Sequence, residues 1–358
     1  MGLHELTLRQ FRIFDEFSFC PDPVGVTVLL SANGSGKTSI LEAVYALATA
    51  QSFRTSSAAD MIRTGASLAE AHGVLFNAER RVQVDLTLAR GARNTTKRML
   101  VNGQRPRSRA ELSQVLPLTI FTPEGVDVIR QGPEHRRTLL TTLLTDADLS
   151  TGDLIERFAK VLTQRNAFIR RFHGTQLDYA HREELEVWNA EFVAAADELV
   201  RARERLLDGL SPLVHEYYQA LAQNSQQVAV SYERSWTGDL GEALRNALSE
   251  DLFRGYSTIG PQRDDVRVTL DGRDARRQAS QGEQRCVALA LRLAGHEHIR
   301  QLRDVDPLLL LDDVFSELDP LRSDRLLRLL PVSQTLVTTA SPLSQAMSPA
   351  VVLDISQR

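Results

Sequence analysis

Residues 31–50 read SANGSGKTSILEAVYALATA, and their ending Gly36-Lys37-Thr38 is that of a phosphate-binding loop. Its surroundings restrict the fold further. "VGVTVLL" before it is a short apolar β run, and "SILEAVYALAT" after it has apolar residues at helical spacing. A strand, a tight loop and a helix in that order gather successive N–H groups and a helix N-terminus around an anion. Gly34 and Gly36 permit the tight turns. Lys37 is expected to reach the β and γ phosphates of a nucleoside triphosphate, and Thr38 to ligate Mg²⁺. Ser31 stands where such a loop normally opens with glycine. Serine is tolerated there if φ is ordinary and the backbone keeps clear of the phosphate. The candidate nucleotide-contacting stretch is Ser31, Ala32, Asn33, Gly34, Ser35, Gly36, Lys37, Thr38 and Ser39.

A loop of this kind needs a carboxylate for its metal, and the candidate lies far along the chain. "LLLLDDVFSELD", residues 308–319, is a run of four leucines ending in two acids. A buried strand would deliver Asp312 to Mg²⁺ and set Asp313 beside the γ-phosphate as general base. Alone, the run also fits an ordinary core strand with a polar end; the phosphate loop favours the metal reading. Loop and acid must meet in one nucleotide fold, so much of the intervening chain is an insertion into it.

That insertion has its own character. Residues 3–30 read as strands, residues 73–101 alternate again, Asn102-Gly103 is a hairpin-turn signal, and "LTIFT" (118–122) is one more strand. From about 126 to 225 the pattern turns helical. Leu185, Trp188, Phe192, Ala195, Leu199, Ala202 and Leu206 step by three and four, a heptad seam. Leu154, Phe158, Val161, Leu162, Phe168 and Phe172 offer a matching stripe. A short antiparallel helix pair and two helices of an ordinary bundle both fit. Strands return at "QVAVSYERSW" and "GYSTIGPQRDDVRVTLDG". A helix over 281–300, the leucine strand, a helix from about 320 and the strand "TLVTT" follow. The expected architecture is α/β: a mixed-sheet nucleotide lobe at 1–125 and 251–358, split by a helical lobe at 126–250.

Composition narrows the function classes. The 358 residues are 42% hydrophobic with a net charge of −4, enough for a sizeable core but with no overall basic excess, so any nucleic-acid surface must be local. Residues 90–109 offer one: Arg90, Arg93, Lys97, Arg98, Arg105, Arg107 and Arg109, with no acid among them. On a hairpin they would suit a phosphate backbone; no aromatic interleaves them, so base stacking is not supported. A solvated hairpin fits the same residues. Cys20 and Cys286 lack ligand spacing, which fits a reducing cytoplasm without disulfides or zinc. The N-terminus has no signal-peptide character, and no apolar run approaches the roughly 20 residues that span a bilayer, so no membrane association is expected. The eight histidines form no ligand cluster, and His296 with His298 reads as a polar helix end.

Ser280-Gln281-Gly282-Glu283 opens an amphipathic helix, and Ser-x-x-Glu is locally a capping box. Its position about 30 residues before the acidic pair, with "SELD" following, resembles the order of motifs in ABC-type ATPase heads. "LTLRQFRIF", "QSFRT", "VNGQ", "IFTPEGVDVIRQGPEHRRTLL", "VLTQRNAFIR", "GPQRDDV" and "SQGEQRCVALALRLA" join the loop and the acidic pair in resembling the RecF family, recombination mediators related to SMC heads. The resemblance implies an ABC-type ATPase head using ATP and Mg²⁺. It implies that Ser280, Gln281, Gly282, Glu283 and Asp319 contact nucleotide, and that Ser280 and the dipole of its helix bind the γ-phosphate held by a second copy, so that sites are complete only in an ATP-dependent homodimer. It places Arg12 of "LRQFR" near the phosphates, although a surface arginine on an edge strand fits those residues as well. It further implies slow, DNA-stimulated hydrolysis, recognition of gapped or junction DNA, and work with RecO and RecR in loading RecA. Five residues stand out. Ser31 replaces the first loop glycine. Gln262 stands where the family often has histidine. Thr338-Thr339 occupy the place of a switch histidine in many ABC ATPases. Glu124 lies near a glutamine of related heads. A membrane-transporter motor subunit shares the motifs, but "LRQFR", the helical insert and the missing histidine oppose it. A structural SMC-like tether is opposed by the short seam, which reaches only about 30 Å.

Overall fold

In the computed structural model the continuous apolar runs become the centre of a parallel sheet. The structure describes residues 2–77, 80–106, 109–148, 150–331, 333–340 and 351–355. Val351–Asp354, Val26–Leu30, Thr335–Thr339, Leu308–Asp312 and Leu118–Phe121 pair in parallel in that order. Strands covered on both faces need no polar alternation, and every residue of Leu308–Asp312 and Thr335–Thr339 is buried. The alternating segments build a second, antiparallel sheet in the order Phe14–Phe19, Gly2–Phe11, Leu68–Asn77, Arg80–Arg90 and Thr95–Val101. The phosphate-loop helix, Lys37–Thr49, lies between the sheets and is largely buried. Its Ile40, Leu41, Val44 and Leu47 share one core with Leu6 and Leu8 of the antiparallel sheet and with Leu29, Leu310 and Leu336 of the parallel one.

The turn signal at Asn102-Gly103 is realised. Both residues take positive φ (49° and 77°), and Val101 and Gln104 exchange N–H···O bonds of 2.8 and 2.9 Å. The basic stretch around it, however, is not one hairpin. Arg90 ends one strand, Lys97 and Arg98 lie on the next, and Arg109 opens the helix Arg109–Val115. Arg107 lies outside the described residues. Arg90 donates to the Ala59 carbonyl (3.2 Å) and Lys97 to the Ala50 carbonyl. Two of the seven charges are therefore tied to the 50–59 loop.

Compact packing divides the chain into Met1–Gly125, Ala220–Gln223 and Leu289–Arg358 as one unit, and Val126–Gln219 with Asn224–Ala288 as the other. The boundary expected at 250 thus falls at 288. Residues 251–288 carry the strand Asp265–Leu270, which pairs antiparallel with Val228–Glu233 inside the second unit. Arg136 of the helix Pro133–Ala147 grips Asp265 with two bonds of 2.7 and 2.9 Å. Alternation identifies such a strand but not the sheet it joins.

The helix pair in the second unit is antiparallel. Phe158 of Ser150–Arg171 packs on Phe192 of Tyr179–Ala222 with ring centroids 5.4 Å apart, Arg157 pairs with Glu198, and Phe172 meets His181. Leu185, Phe192, Ala195, Leu199, Ala202 and Leu206 are all buried, as the seam requires. The second helix has 44 residues and outruns the seam, reaching about 65 Å. Arg165 sits fully buried beside the Phe192 ring, donating to Asn189 (2.9 Å), Asp251 (2.9 Å) and Ser257 (2.6 Å). A buried charge persists only when paired in this way.

His296 is a correction. It does not end a helix; it lies within Gln281–Arg303, buried, with Nδ1 3.3 Å from Thr119 Oγ1. Burial pushes it down to about 4. In the unfolded chain a histidine takes its proton near 6.5. Its stabilising contribution is therefore full above about pH 6.5 and is lost as pH falls toward 4. At pH 5 the loss is on the order of 2 kcal/mol. His296→Gln is expected to flatten the fall in urea midpoint between pH 7 and 5; an unchanged fall would contradict this assignment.

Candidate nucleotide site

The loop is shaped by its glycines. Gly34 and Gly36 take φ of 82° and 96°, conformations costly for other residues. A Cβ at Gly34 would meet nothing within 4 Å, so backbone angle alone demands glycine there. At Gly36 a Cβ would also lie 2.6 Å from Ile13 Cδ1 and 2.7 Å from Phe14 Cζ. Ser31 is absent from the positive-φ residues, which is why serine serves at the loop's start. Gly36 caps the loop helix without any side-chain hydrogen bond, and the hydroxyls of Ser31 and Ser35 are buried without protein partners. Ala32 and Asn33 form the exposed crest, while Ser39 is buried in the helix. Lys37 arches over the loop, its Nζ donating to the carbonyls of Ser31 (2.5 Å) and Ala32 (2.8 Å). Burial lowers its pKa, with Asp313 and Asp312 pulling it back up.

The parallel sheet solves the problem of distance in sequence. Val26–Leu30 leads into the loop, Thr335–Thr339 is its neighbour, and Leu308–Asp312 is the next strand out. Thr38 Oγ1 donates to Asp312 Oδ1 at 2.9 Å across 274 positions. Thr338 Oγ1 donates to the same oxygen at 2.7 Å and accepts the Asp313 N–H at 2.9 Å. Sequence reasoning saw in Thr338 only an absent histidine; the structure makes it the brace of both acids. Thr339 accepts at its carbonyl the N–H of Ser31 (3.3 Å). Burial raises the pKa of Asp312, opposed by the Thr338 and Thr38 hydroxyls and reinforced by Asp313. Asp313 holds positive φ (49°), and its Oδ1 is buried without a hydrogen-bond partner.

These atoms fit the groups the sequence implies. Thr38 hydroxyl and Asp312 carboxylate are hard oxygen donors of the kind Mg²⁺ takes together with phosphate oxygens. The uncapped helix start, the unpartnered loop hydroxyls and the Lys37 ammonium fit a polyphosphate. No cluster of three metal-ligating His, Cys, Asp or Glu side chains occurs among the described residues.

Arg12 sits differently from a free phosphate ligand. Its guanidinium grips Glu42 of the loop helix bidentately, at 2.7 and 2.6 Å. Glu42 is fully buried and also meets Arg54 (3.5 Å) and the Ser52 hydroxyl. Sequence reading missed Glu42, Ser52 and Arg54 as one cluster; "QSFRT" was the available signal. Glu124 lies exposed in the short turn Pro123–Val126 after the strand Leu118–Phe121. Gln262 turns back on its own turn, Nε2 donating to the Ile259 carbonyl at 2.7 Å.

The remaining candidates open helices. Ser280 and Glu283 form the reciprocal capping box: Ser280 N–H donates to Glu283 at 2.7 Å, and Glu283 N–H to the Ser280 hydroxyl at 3.3 Å. The Ser280 bonds hold Glu283 below the usual carboxylate range, and Gln226 adds a bond at 3.1 Å. Gln281 and Gly282 form the first turn of that helix. Asp319 caps Pro320–Leu329, accepting the Arg322 N–H at 3.0 Å. Ser280–Glu283 belongs to the second unit, and the phosphate loop, the acids and Asp319 to the first.

The chain is similar to known proteins along nearly its whole length. A family model described as "RecF/RecN/SMC N terminal domain" matches residues 2–351. A DNA replication and repair protein RecF of Acidothermus cellulolyticus is 35% identical over 356 residues, covering 95% of this chain and 94% of that one. The protein of that description from Geobacter sulfurreducens is 34% identical over 340 residues, 92% and 90% of the two chains. Among solved structures, the recombination mediator protein RecF with ATP in the RecFOR pathway superposes with a TM-score of 0.86 at 23% identity, over 98% of this chain and 94% of that one. A Pyrococcus furiosus Smc head domain with an extended coiled coil superposes at 0.55 and 17% identity, over 95% and 90%. These likenesses place the fold among ABC-type ATPase heads.

Proposed function

The chain belongs to the RecF family, and from that premise we propose that it is an ATP-gated DNA-binding protein of replication and recombinational repair. The observation that carries the reading is Thr38 bonded to Asp312 beside the buried, unpartnered oxygen of Asp313. Lys37 and the loop N–H groups hold the phosphates, while Thr38 and Asp312 supply the metal's protein oxygens. Thr38 and Asp312 would hold Mg²⁺, which would supply positive charge to offset that of the phosphates. Thr338 keeps Asp312 and Asp313 in place, and Asp313 takes the proton of the attacking water. Ser280 and the helix start behind it serve the nucleotide of a second copy, with Asp319 beside that junction. Two copies thus close over two nucleotides and part after slow, DNA-stimulated hydrolysis.

The relatives are described as DNA replication and repair proteins, and a solved neighbour as a mediator of the RecFOR pathway. Those descriptions support work in DNA repair with RecO and RecR; action in the cytoplasm at gaps and single-strand/double-strand junctions, in loading RecA, is the finer part of the proposal and rests on the family resemblance. No helix among the described residues is long and apolar enough to cross a membrane. Asp313→Asn tests the assignment of the base. It is expected to keep nucleotide binding and to lower turnover by on the order of 100-fold or more. Hydrolysis at the wild-type rate would sink it.

A further inference from the structure

The turn joining the two long helices of the second unit carries aromatic and basic side chains that the nucleotide site does not use. Arg170 and Arg171 end the helix Ser150–Arg171. The turn after them is pinned onto the end of the helix Leu240–Arg254: Gly174 N–H donates to the Leu252 carbonyl at 3.1 Å, and a Cβ on Gly255 would lie 3.1 Å from the His173 ring. Leu252, Leu177 and Leu185 bury themselves beneath this junction. Beside it Phe253 is 69% exposed and Tyr179 79% exposed, while Tyr256 lies under the Arg263 guanidinium at 4.7 Å. Arg171 lies over the Phe172 ring at 5.1 Å. Among the nearby acids, Asp178 and Glu250 are answered by His181 and Arg254, each at 2.7 Å, while Glu183 and Glu184 stand exposed one turn along the helix from Tyr179.

We propose that this junction is a stacking platform for single-stranded DNA, with Phe253 and Tyr179 taking unpaired bases and Arg170, Arg171 and Arg263 taking the backbone. The proposal rests on the DNA-binding reading above and names a place and a strand form for it. A packed junction with rings left in water gains little by folding alone, since exposed phenylalanine forfeits its burial energy. Every base has a π face, but duplex DNA keeps those faces stacked inside, so exposed rings select the unpaired strand. Arginines around the rings supply the charge that a polyanion requires and also stack on bases. This platform supplies the aromatic component that the 90–109 stretch lacks.

The test is fluorescence anisotropy with a labelled oligothymidine and with a blunt duplex of equal length, both with Mg²⁺ and ATP. The Phe253→Ala, Tyr179→Ala double variant is expected to weaken oligothymidine binding on the order of 10- to 100-fold and to leave duplex binding within about twofold. Phe253→Trp is expected to retain binding, with its added indole emission, measured against wild type, quenched by oligothymidine. Unchanged oligothymidine affinity in the double variant, or an unquenched indole, overturns the platform and leaves the face to a protein partner. Wild-type binding to duplex alone overturns the platform but not the DNA reading. Wild-type binding to neither overturns both.

Discussion

Lys37→Met is expected to abolish nucleotide binding at concentrations that saturate the wild type. The ammonium is the one cation the loop itself supplies, and it sits over the Ser31 and Ala32 carbonyls where the strand enters the loop. Facing the β and γ phosphates it would make two charge-assisted bonds, together worth about 3–6 kcal/mol. That corresponds to a loss of affinity on the order of 10²- to 10⁴-fold. Methionine keeps the length and apolar stem of lysine, so the buried position stays filled. Burial already disfavours the ammonium, and Asp312 and Asp313 favour it; removing the charge therefore should not unfold the loop. Calorimetric titration with ATP and Mg²⁺ checks this. Wild-type affinity in the variant would remove residues 31–39 from the nucleotide site.

Contiguity decided how much of this was legible in sequence. The loop, the leucine strand and the Asn102-Gly103 turn are each specified by neighbouring residues, and each forms as its local pattern requires. The helix seam is legible for the same reason, since Leu185 to Leu206 repeat on one face. Thr338 is different. Its hydroxyl reaches Asp312 because the strands Leu308–Asp312 and Thr335–Thr339 run in parallel with Asp312 opposite Thr338, and register between distant strands leaves no local mark. The Arg12–Glu42 pair likewise joins the turn after the strand Gly2–Phe11 to the loop helix across 30 positions. Arg165 and His296 were hidden by composition: each is a polar residue on a helix face that the apolar pattern assigns to core or surface, and only the three-dimensional partners decide. The lobe boundary slipped to 288 because Asp265–Leu270 pairs with Val228–Glu233 rather than with the nucleotide sheets.

The second large effect is expected at Ser280. In the proposed dimer its hydroxyl and the positive end of the helix Gln281–Arg303 face the partner's γ-phosphate, contributing about 1–3 kcal/mol per site. Two-fold symmetry closes two such sites at once, so about 2–6 kcal/mol of dimer stability depends on the bound nucleotide. Ser280→Arg places bulk and positive charge where phosphate and metal must fit. It also removes the cap on Glu283, so Ser280→Ala, which removes the cap without the bulk, is the control. The arginine variant is expected to bind ATP as a monomer and to show no ATP-dependent dimer in the ultracentrifuge. A dimer as tight as wild type would mean that Ser280 faces no partner.

The central claim is that each nucleotide is served by the loop of one copy and the Ser280 helix of the other. Mixing Lys37→Met with Ser280→Arg tests it directly through the ATP hydrolysis rate. Neither variant alone has a complete site. In a mixed dimer the intact loop of the Ser280→Arg copy meets the intact Ser280 of the Lys37→Met copy, so one of two sites is whole. The mixture is expected to recover hydrolysis, up to about half the wild-type rate per dimer, while each variant alone stays inactive. A mixture as inactive as its parts would contradict the shared site.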